Sequence, residues 1–183
     1  MYQKRALHNR NCRLFLFCYN HFVSYAIYTT HGFVLSSAPS GEASKTYAIY
    51  TQDFGLIFAR AQGVRLLSSK LRYSLDNYIF GKFSLVKGKE VWRITGAEAE
   101  PVRVDSLARA RILNLVRRLV QGEEKNEKLF ESLLELHGQT LSETDALGKV
   151  LAALGYLDLN AFETKSDKEK VFIINKALKE TQL

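Results

Sequence analysis

From Tyr25 onward the chain is built of short runs rich in Tyr, Ile, Thr, Phe and Val, with turn residues at regular intervals. Such runs predict a small antiparallel β domain. Tyr25 to Ser37 reads as a first strand, bent or bulged at Gly32, followed by the turn "APSGEA". Lys45 to Thr51 is a second strand, closed by "QDFG", and Leu56 to Val64 is a third. Asn77 to Val86 is a fourth, and "KGK" turns it into a fifth from Glu90 to Ala97. Strands this short and this numerous suit a small closed barrel, and the OB-fold is the barrel of that size most used for nucleic acids.

Pro101 ends the strand pattern, and the remainder reads as helix. Ser106 to Val120 places Ala108, Ile112, Leu115, Val116 and Leu119 on one stripe and stops at Gly122. Lys125 to His137 does the same with Leu129, Leu133 and Leu136, and stops at Gly138. Thr140 with Glu143 predicts a capping box before Asp145 to Leu154, and Ser166 with Glu169 predicts another. The second box opens a last helix in which Val171, Ile174 and Leu178 face one way. Four short amphipathic helices bury their stripes only against each other or against the barrel. The expected fold class is therefore α+β: a five-stranded OB-fold barrel over residues 25–101, then a small all-helical domain over 102–183.

Residues 1–24 stand apart. They carry Lys4, Arg5, Arg10 and Arg13 and no acid, and the apolar run "LFLFCYNHFV" is interrupted by Asn20 and His21. That run is too short to span a bilayer and lacks a small-residue cleavage site. A disordered extension is expected, consistent with translation read from an upstream start codon, and the cytoplasm is the default location.

Charge changes the picture more than composition does. Net charge is +7 over 183 residues, which speaks to partners rather than to fold. The excess sits in the front of the chain, because residues 102–183 are balanced between acids and bases. The segment "LIFARAQGVRLLSSKLRYSL" holds Arg60, Arg65, Lys70 and Arg72 among Phe58, Tyr73 and aliphatics, with no acid. Single-stranded nucleic acid is held by cations that follow its phosphates and by rings on which its bases stack, and this segment supplies both. Phe58 and Arg60 share one face of their strand, with Ile57, Ala59 and Ala61 on the other. Lys82 and Arg93 also point away from the apolar face, and Lys87 and Lys89 flank a hairpin turn. Each of these has an ordinary structural reading as well: ring in the core, cation coating a strand.

A second basic group, Arg109, Arg111, Arg117 and Arg118, lies on the first helix. At 100° per residue, Arg111 and Arg118 fall on one flank of its apolar stripe and Arg117 on the opposite flank. Such a helix either docks an acidic peptide or lies against the acidic second helix.

Catalytic signatures are not found: no Gly-rich phosphate loop with Lys and Ser or Thr, no nucleophile elbow, no His with Glu at metal spacing. Cys12 and Cys18 do not have the spacing of a four-ligand zinc site. His8, His21, His31 and His137 are scattered. Neither an enzyme, a metal site nor a cofactor is expected.

The string "YTTHGFVLSSAPSGEASKTYAIYTQDFGLIFARAQGVRLLSSKLRYSL", followed by "LVKGKEVWRITGAE", resembles the N-terminal domain of RecO, the bacterial recombination mediator. "KVLAALGYLDLN" and "INKALKE" resemble its helical part. The resemblance implies an OB-fold joined to a helical domain without catalytic activity. It also implies binding to single- and double-stranded DNA, annealing of strands coated by single-strand-binding protein, work with RecR in loading RecA, and recognition of the acidic C-terminal tail of single-strand-binding protein. By position in the motif, "AQGVRLLSSKLR" assigns Arg60, Arg65, Lys70 and Arg72 to DNA. The tail site belongs to the helical domain; Arg111 and Arg118 are the candidates there, without a residue-by-residue match. Three departures are expected: a short helical region, which puts part of the RecR surface or DNA path in doubt; absence of the four-cysteine zinc element; and a basic extension with no counterpart in the family. Two other classes stay open: a protein-binding adaptor for acidic peptides and an RNA-binding OB module.

Overall fold

The computed structural model describes residues 26–89, 91–101, 107–138 and 142–181. Expectations placed on residues 1–24, including Cys12, Cys18, His8 and His21, lie outside these, as do Thr140 and Ser106.

Five strands form, β1 (Ile27–Pro39), β2 (Lys45–Thr51), β3 (Gly55–Ala61), β4 (Phe80–Lys87) and β5 (Trp92–Ala99). They close into a barrel in the order β1-β2-β3-β5-β4, with β3 and β5 parallel and the other pairs antiparallel. This is the five-stranded barrel that the alternation predicts, and the OB-fold class holds. β1 does the work of two strands: residues 27–33 pair with β4 and residues 32–39 with β2. The handover falls at Gly32, which pairs with both Thr51 and Gly81. A Cβ there would stand 2.9 Å from the Tyr50 carbonyl oxygen, so the residue is small because two strands close on it. The bulge predicted at Gly32 is instead at Leu35, where the register with β2 shifts between Val34 and Ser36. Val34, still paired with Ile49 of β2, also exchanges backbone hydrogen bonds with Tyr78 and Ile79, just before β4.

Two boundaries move for local reasons. The third strand ends at Ala61 rather than Val64, because residues 62–65 turn. The fourth begins at Phe80 rather than Asn77, since Tyr78 sits at φ 68°, a left-handed conformation no strand contains. Between β3 and β4 lies a 3-10 helix, Lys70–Ser74, which the alternation does not reveal.

Beyond the barrel come α1 (Leu107–Leu119), α2 (Glu127–Gly138), α3 (Glu143–Ala153), α4 (Leu159–Glu163) and α5 (Asp167–Glu180). Five helices are described where four are expected; α4 is the addition, capped by Asp158, whose side chain accepts from the Asn160 N–H. The cap of α3 is Ser142, accepting from the Asp145 N–H at 3.1 Å. The Ser166–Glu169 box forms as read.

The strands feed two cores at once. Val34, Tyr47, Ile49, Ile57, Phe83 and Ile94 fill the barrel. Phe33, Leu35, Ala48, Tyr50, Leu56 and Phe80 point outward and meet Ile112, Leu113 and Val116 of α1, Leu129, Phe130 and Leu133 of α2 and Val150 of α3. Burial on both faces explains why β2 reads as a near-continuous apolar run. A third, smaller core joins Leu151, Phe162, Ile174 and Ala177. The face of α5 is thus set by Ile174 and Ala177, and Val171 is exposed rather than sharing it. On α1 the inner face carries Arg109 and Leu113 with Ile112 and Val116; Ala108, Leu115 and Leu119 are only half-buried.

The α1–α2 connection is clamped to the end of the barrel. Trp92 Nε1–H donates to Glu123 Oε1 at 2.9 Å, and Lys87 Nζ donates to Glu123 Oε2 at 3.2 Å. Gly55, at φ 65°, lies so close to the Glu124 backbone that any side chain would strike it. Tyr50 reaches through to donate to the Asn126 carbonyl at 3.2 Å; its burial pushes the phenol up to about 12.

Candidate nucleic-acid interface

Arg60 stands outward from β3, and the parallel register sets Arg93 of β5 directly beside it. Both are exposed, as the alternation predicts. Like charges side by side on a sheet are unfavourable, so this arrangement needs an external anion to be at its best. Arg60 Nη2 donates to the Ser40 carbonyl at 3.4 Å, and Arg65 Nη1 to the Gly41 carbonyl at 3.4 Å. Two guanidiniums therefore converge on the β1–β2 turn through neutral carbonyls. That turn is free to accept them because Gly41 adopts φ 76° and turns the chain sharply.

Arg65 also lines a cavity of about 500 Å³ together with Lys45, Tyr47, Arg72, Tyr73 and Asp76. Tyr73 is 78% exposed at its rim. Asp76 is the acid at this mouth, and it helps burial to raise the Tyr47 phenol above its ordinary range. On the other side of the 3-10 helix, Lys70 and Lys82 line a second cleft with Thr29, Ser84, Thr95 and Glu98. Lys82 is paired across the sheet with Glu98, so its charge is partly offset. Among the described residues, none of Arg60, Arg65, Lys70, Arg72, Lys82 and Arg93 has a carboxylate within ion-pair distance. Arg93 is thus the neighbour of Arg60, Arg60 and Arg65 meet at the β1–β2 turn, and Arg65 and Arg72 line one cavity, a line of pairwise neighbours; the 3-10 helix carries Lys70 to the neighbouring cleft.

Phe58 is 45% exposed on the same outer face as Arg60. The Arg117 guanidinium of α1 lies over its ring, 5.0 Å from the centroid. The helical stripe put Arg117 on the flank opposite Arg111, which is a true signal, but only the packing says that this flank faces β3. Lys45 also escaped the sequence reading; its parity with inward-facing Tyr47 and Ile49 is the clue, since a lysine in that phase at a strand end can only lie at a barrel mouth.

Other cations do not join the line. Lys87, one of the two lysines that flank the hairpin turn, is bound to Glu123 and lies 5.1 Å from the Trp92 ring centroid. Arg109, counted in the basic group of the first helix, is buried, and its Nη2 donates to the Tyr78 carbonyl at 2.8 Å. Arg111 pairs with Glu143 of α3 at 3.5 Å rather than with the second helix, an exposed contact of small energetic weight. Arg118 is exposed further along the same helix. Among the described residues, no group of His, Cys, Asp and Glu has the geometry to hold a metal ion, and no helix is long and apolar enough to cross a membrane.

Residues 8–102 match the sequence pattern of a family described as Recombination protein O N terminal. The chain belongs to the RecO family. It is similar to the DNA repair protein RecO of Pelotomaculum thermopropionicum, 30% identical over 144 residues that make up 71% of this chain and 56% of the relative. It is similar also to the DNA repair protein RecO of Dehalococcoides mccartyi, 24% identical over 152 residues, 79% of this chain and 58% of the relative. To the DNA repair protein RecO of Rubrobacter xylanophilus it is 35% identical over 74 residues, 40% of this chain. The chain spans little more than half the length of the first two RecO relatives. The family match begins at residue 8, so much of the basic extension lies inside the RecO pattern, against the expectation that it has no counterpart there.

Proposed function

We propose that this chain is a non-catalytic DNA-binding protein of DNA repair and recombination, which holds DNA along the line Arg93, Arg60, Arg65 and Arg72. Lys70 and Lys82 flank that path, and Phe58 and Tyr73 offer rings to unpaired bases. The observation that carries the reading is the side-by-side placement of Arg60 and Arg93 next to Arg65, all three without a carboxylate in ion-pair reach among the described residues. Such an array binds a polyanion by releasing the counterions condensed on its phosphates, and the polyanion in turn relieves the repulsion between the arginines. The names of the relatives support the repair role.

On this reading the chain anneals complementary strands, works in the cytoplasm with RecR to load RecA, and meets the C-terminal tail of single-strand-binding protein on its helical part. Arg118 is the better placed of the two helix candidates for that tail, because Arg111 already has Glu143.

The test is annealing of complementary oligonucleotides, with and without single-strand-binding protein, at two salt concentrations. Wild type is expected to accelerate annealing, and Arg65→Glu/Lys70→Glu/Arg72→Glu to lose both the acceleration and most of the salt dependence of binding. Unchanged affinity in the triple variant removes the DNA role from this segment. Preference for RNA of the same sequence would favour an RNA-binding module instead.

A further inference from the structure

Phe58 has an unusual cover for a ring on a barrel wall. Its antiparallel neighbour on β2 is Ala48, too small to shield it. Aliphatic residues of α1 go to Phe33, Tyr50 and Leu56 instead. What reaches Phe58 is the planar cation of Arg117, and the ring stays nearly half exposed.

Arg117 is held in place from within its own helix. Leu113 and Val116 are completely buried, and Arg109, two turns earlier, is tied to the Tyr78 carbonyl. The guanidinium therefore arrives at the ring on a rigid element rather than on a loop. A guanidinium stacks on aromatic faces and on nucleobases alike. Arg60 lies two residues along the same face of β3, about 6.8 Å away, with Arg93 beside it.

We propose that Phe58 and Arg117, in direct contact at 5.0 Å, form a stacking clamp that takes one unpaired base when the long Arg117 side chain swings outward by one base thickness from its fixed helix, while Arg60 and Arg93 take the adjoining phosphates. This rests on the DNA-holding reading above and extends it to a helical residue. The clamp makes the preference for single strands over duplex a property of the junction between barrel and helices, because a paired base presents no free face to the ring.

The experiment is fluorescence anisotropy of the full chain with three probes of equal length: oligo-dT, an abasic oligomer with the same phosphates, and a duplex. Phe58→Leu, which keeps an apolar cover, and Arg117→Ala are each expected to lose about five- to tenfold affinity for oligo-dT. Phe58→Leu should leave abasic and duplex binding unchanged, and Arg117→Lys, which keeps the charge without the plane, should recover less than half of the oligo-dT loss. Equal losses on oligo-dT and the abasic strand would reduce both residues to phosphate contacts and overturn the clamp. So would full oligo-dT affinity in both variants, with the repair reading left standing. A wild-type chain that binds none of the three probes sinks that reading and the clamp together.

Discussion

Arg60 of β3 and Arg93 of β5 are immediate neighbours in a parallel register, on the outer face of a closed barrel. Their nearest described hydrogen-bond partner is a neutral carbonyl, that of Ser40, on the Arg60 side. The pair stores repulsion that a bound polyanion would relieve. Arg60→Ala and Arg93→Ala should each leave thermal stability unchanged or slightly higher, and each should lower the salt slope of DNA binding by about one. Melting temperature and oligonucleotide titrations at three salt concentrations measure both.

Glu123 ties the α1–α2 connection to the barrel through Trp92 and Lys87. Its carboxyl is held below the ordinary range, first by the hydrogen bond from the Trp92 indole and then by Lys87. A depressed folded pKa means that the stabilisation is fully present above the unfolded value of about 4.3 and is lost as pH falls through the folded one. Glu123→Gln should therefore be less stable than wild type at pH 7, with the gap closing as acid is added. Trp92 is the sole tryptophan, so urea unfolding followed by its fluorescence from pH 7 to 3 reports the effect.

Gly55 is required twice over, by its left-handed backbone and by the Glu124 backbone packed against it. Gly55→Ala should cost more than about 2 kcal/mol, read as a lower denaturation midpoint. Because the β2–β3 turn and the α1–α2 connection separate when it fails, the loss should appear in both halves of the fold. Hydrogen exchange of β3 and α2 amides checks this.

Ser142 caps α3 through its hydroxyl. Ser142→Ala should destabilise by about 1 kcal/mol, and Ser142→Asp should restore most of it through the same acceptor geometry. The cap also touches Asp145, which is held below its ordinary range by Lys170 and then by Ser142. The Ser142→Ala loss should accordingly shrink as pH falls through the depressed Asp145 value, where its carboxylate takes up a proton; chemical denaturation at pH 7 and at successive steps into the acid range decides.

The strands were legible because a barrel wall imposes period two, and Lys45–Thr51 was read to the residue. Phe58, Arg60, Lys82 and Arg93 were placed outward for the same reason. What failed to show were features set by contacts distant in sequence. Lys87 read as a lysine beside a hairpin turn, and its partner Glu123 lies thirty-six positions away. Arg109 looked like part of a basic surface, but the left-handed turn at Tyr78 just before β4 leaves its carbonyl toward α1, and the Arg109 guanidinium donates to it. The buried face of α5 is that of Ile174 and Ala177, which cluster with Leu151 of α3 and Phe162 of the unforeseen α4, while Val171 stays exposed.

Sequence alone decided the alternation of each strand, the stripes of most helices and the concentration of unbalanced cations in one segment, since these follow from local geometry and composition. It also carried the likeness to RecO. Only the tertiary structure decided which cations stand together: closing the barrel in the order β1-β2-β3-β5-β4 puts Arg93 beside Arg60, although thirty-two residues of chain lie between them. Packing α1 on the outer wall then brought Arg117 to Phe58. Charge reaches through space rather than along the chain, and so does the geometry that gives it a use.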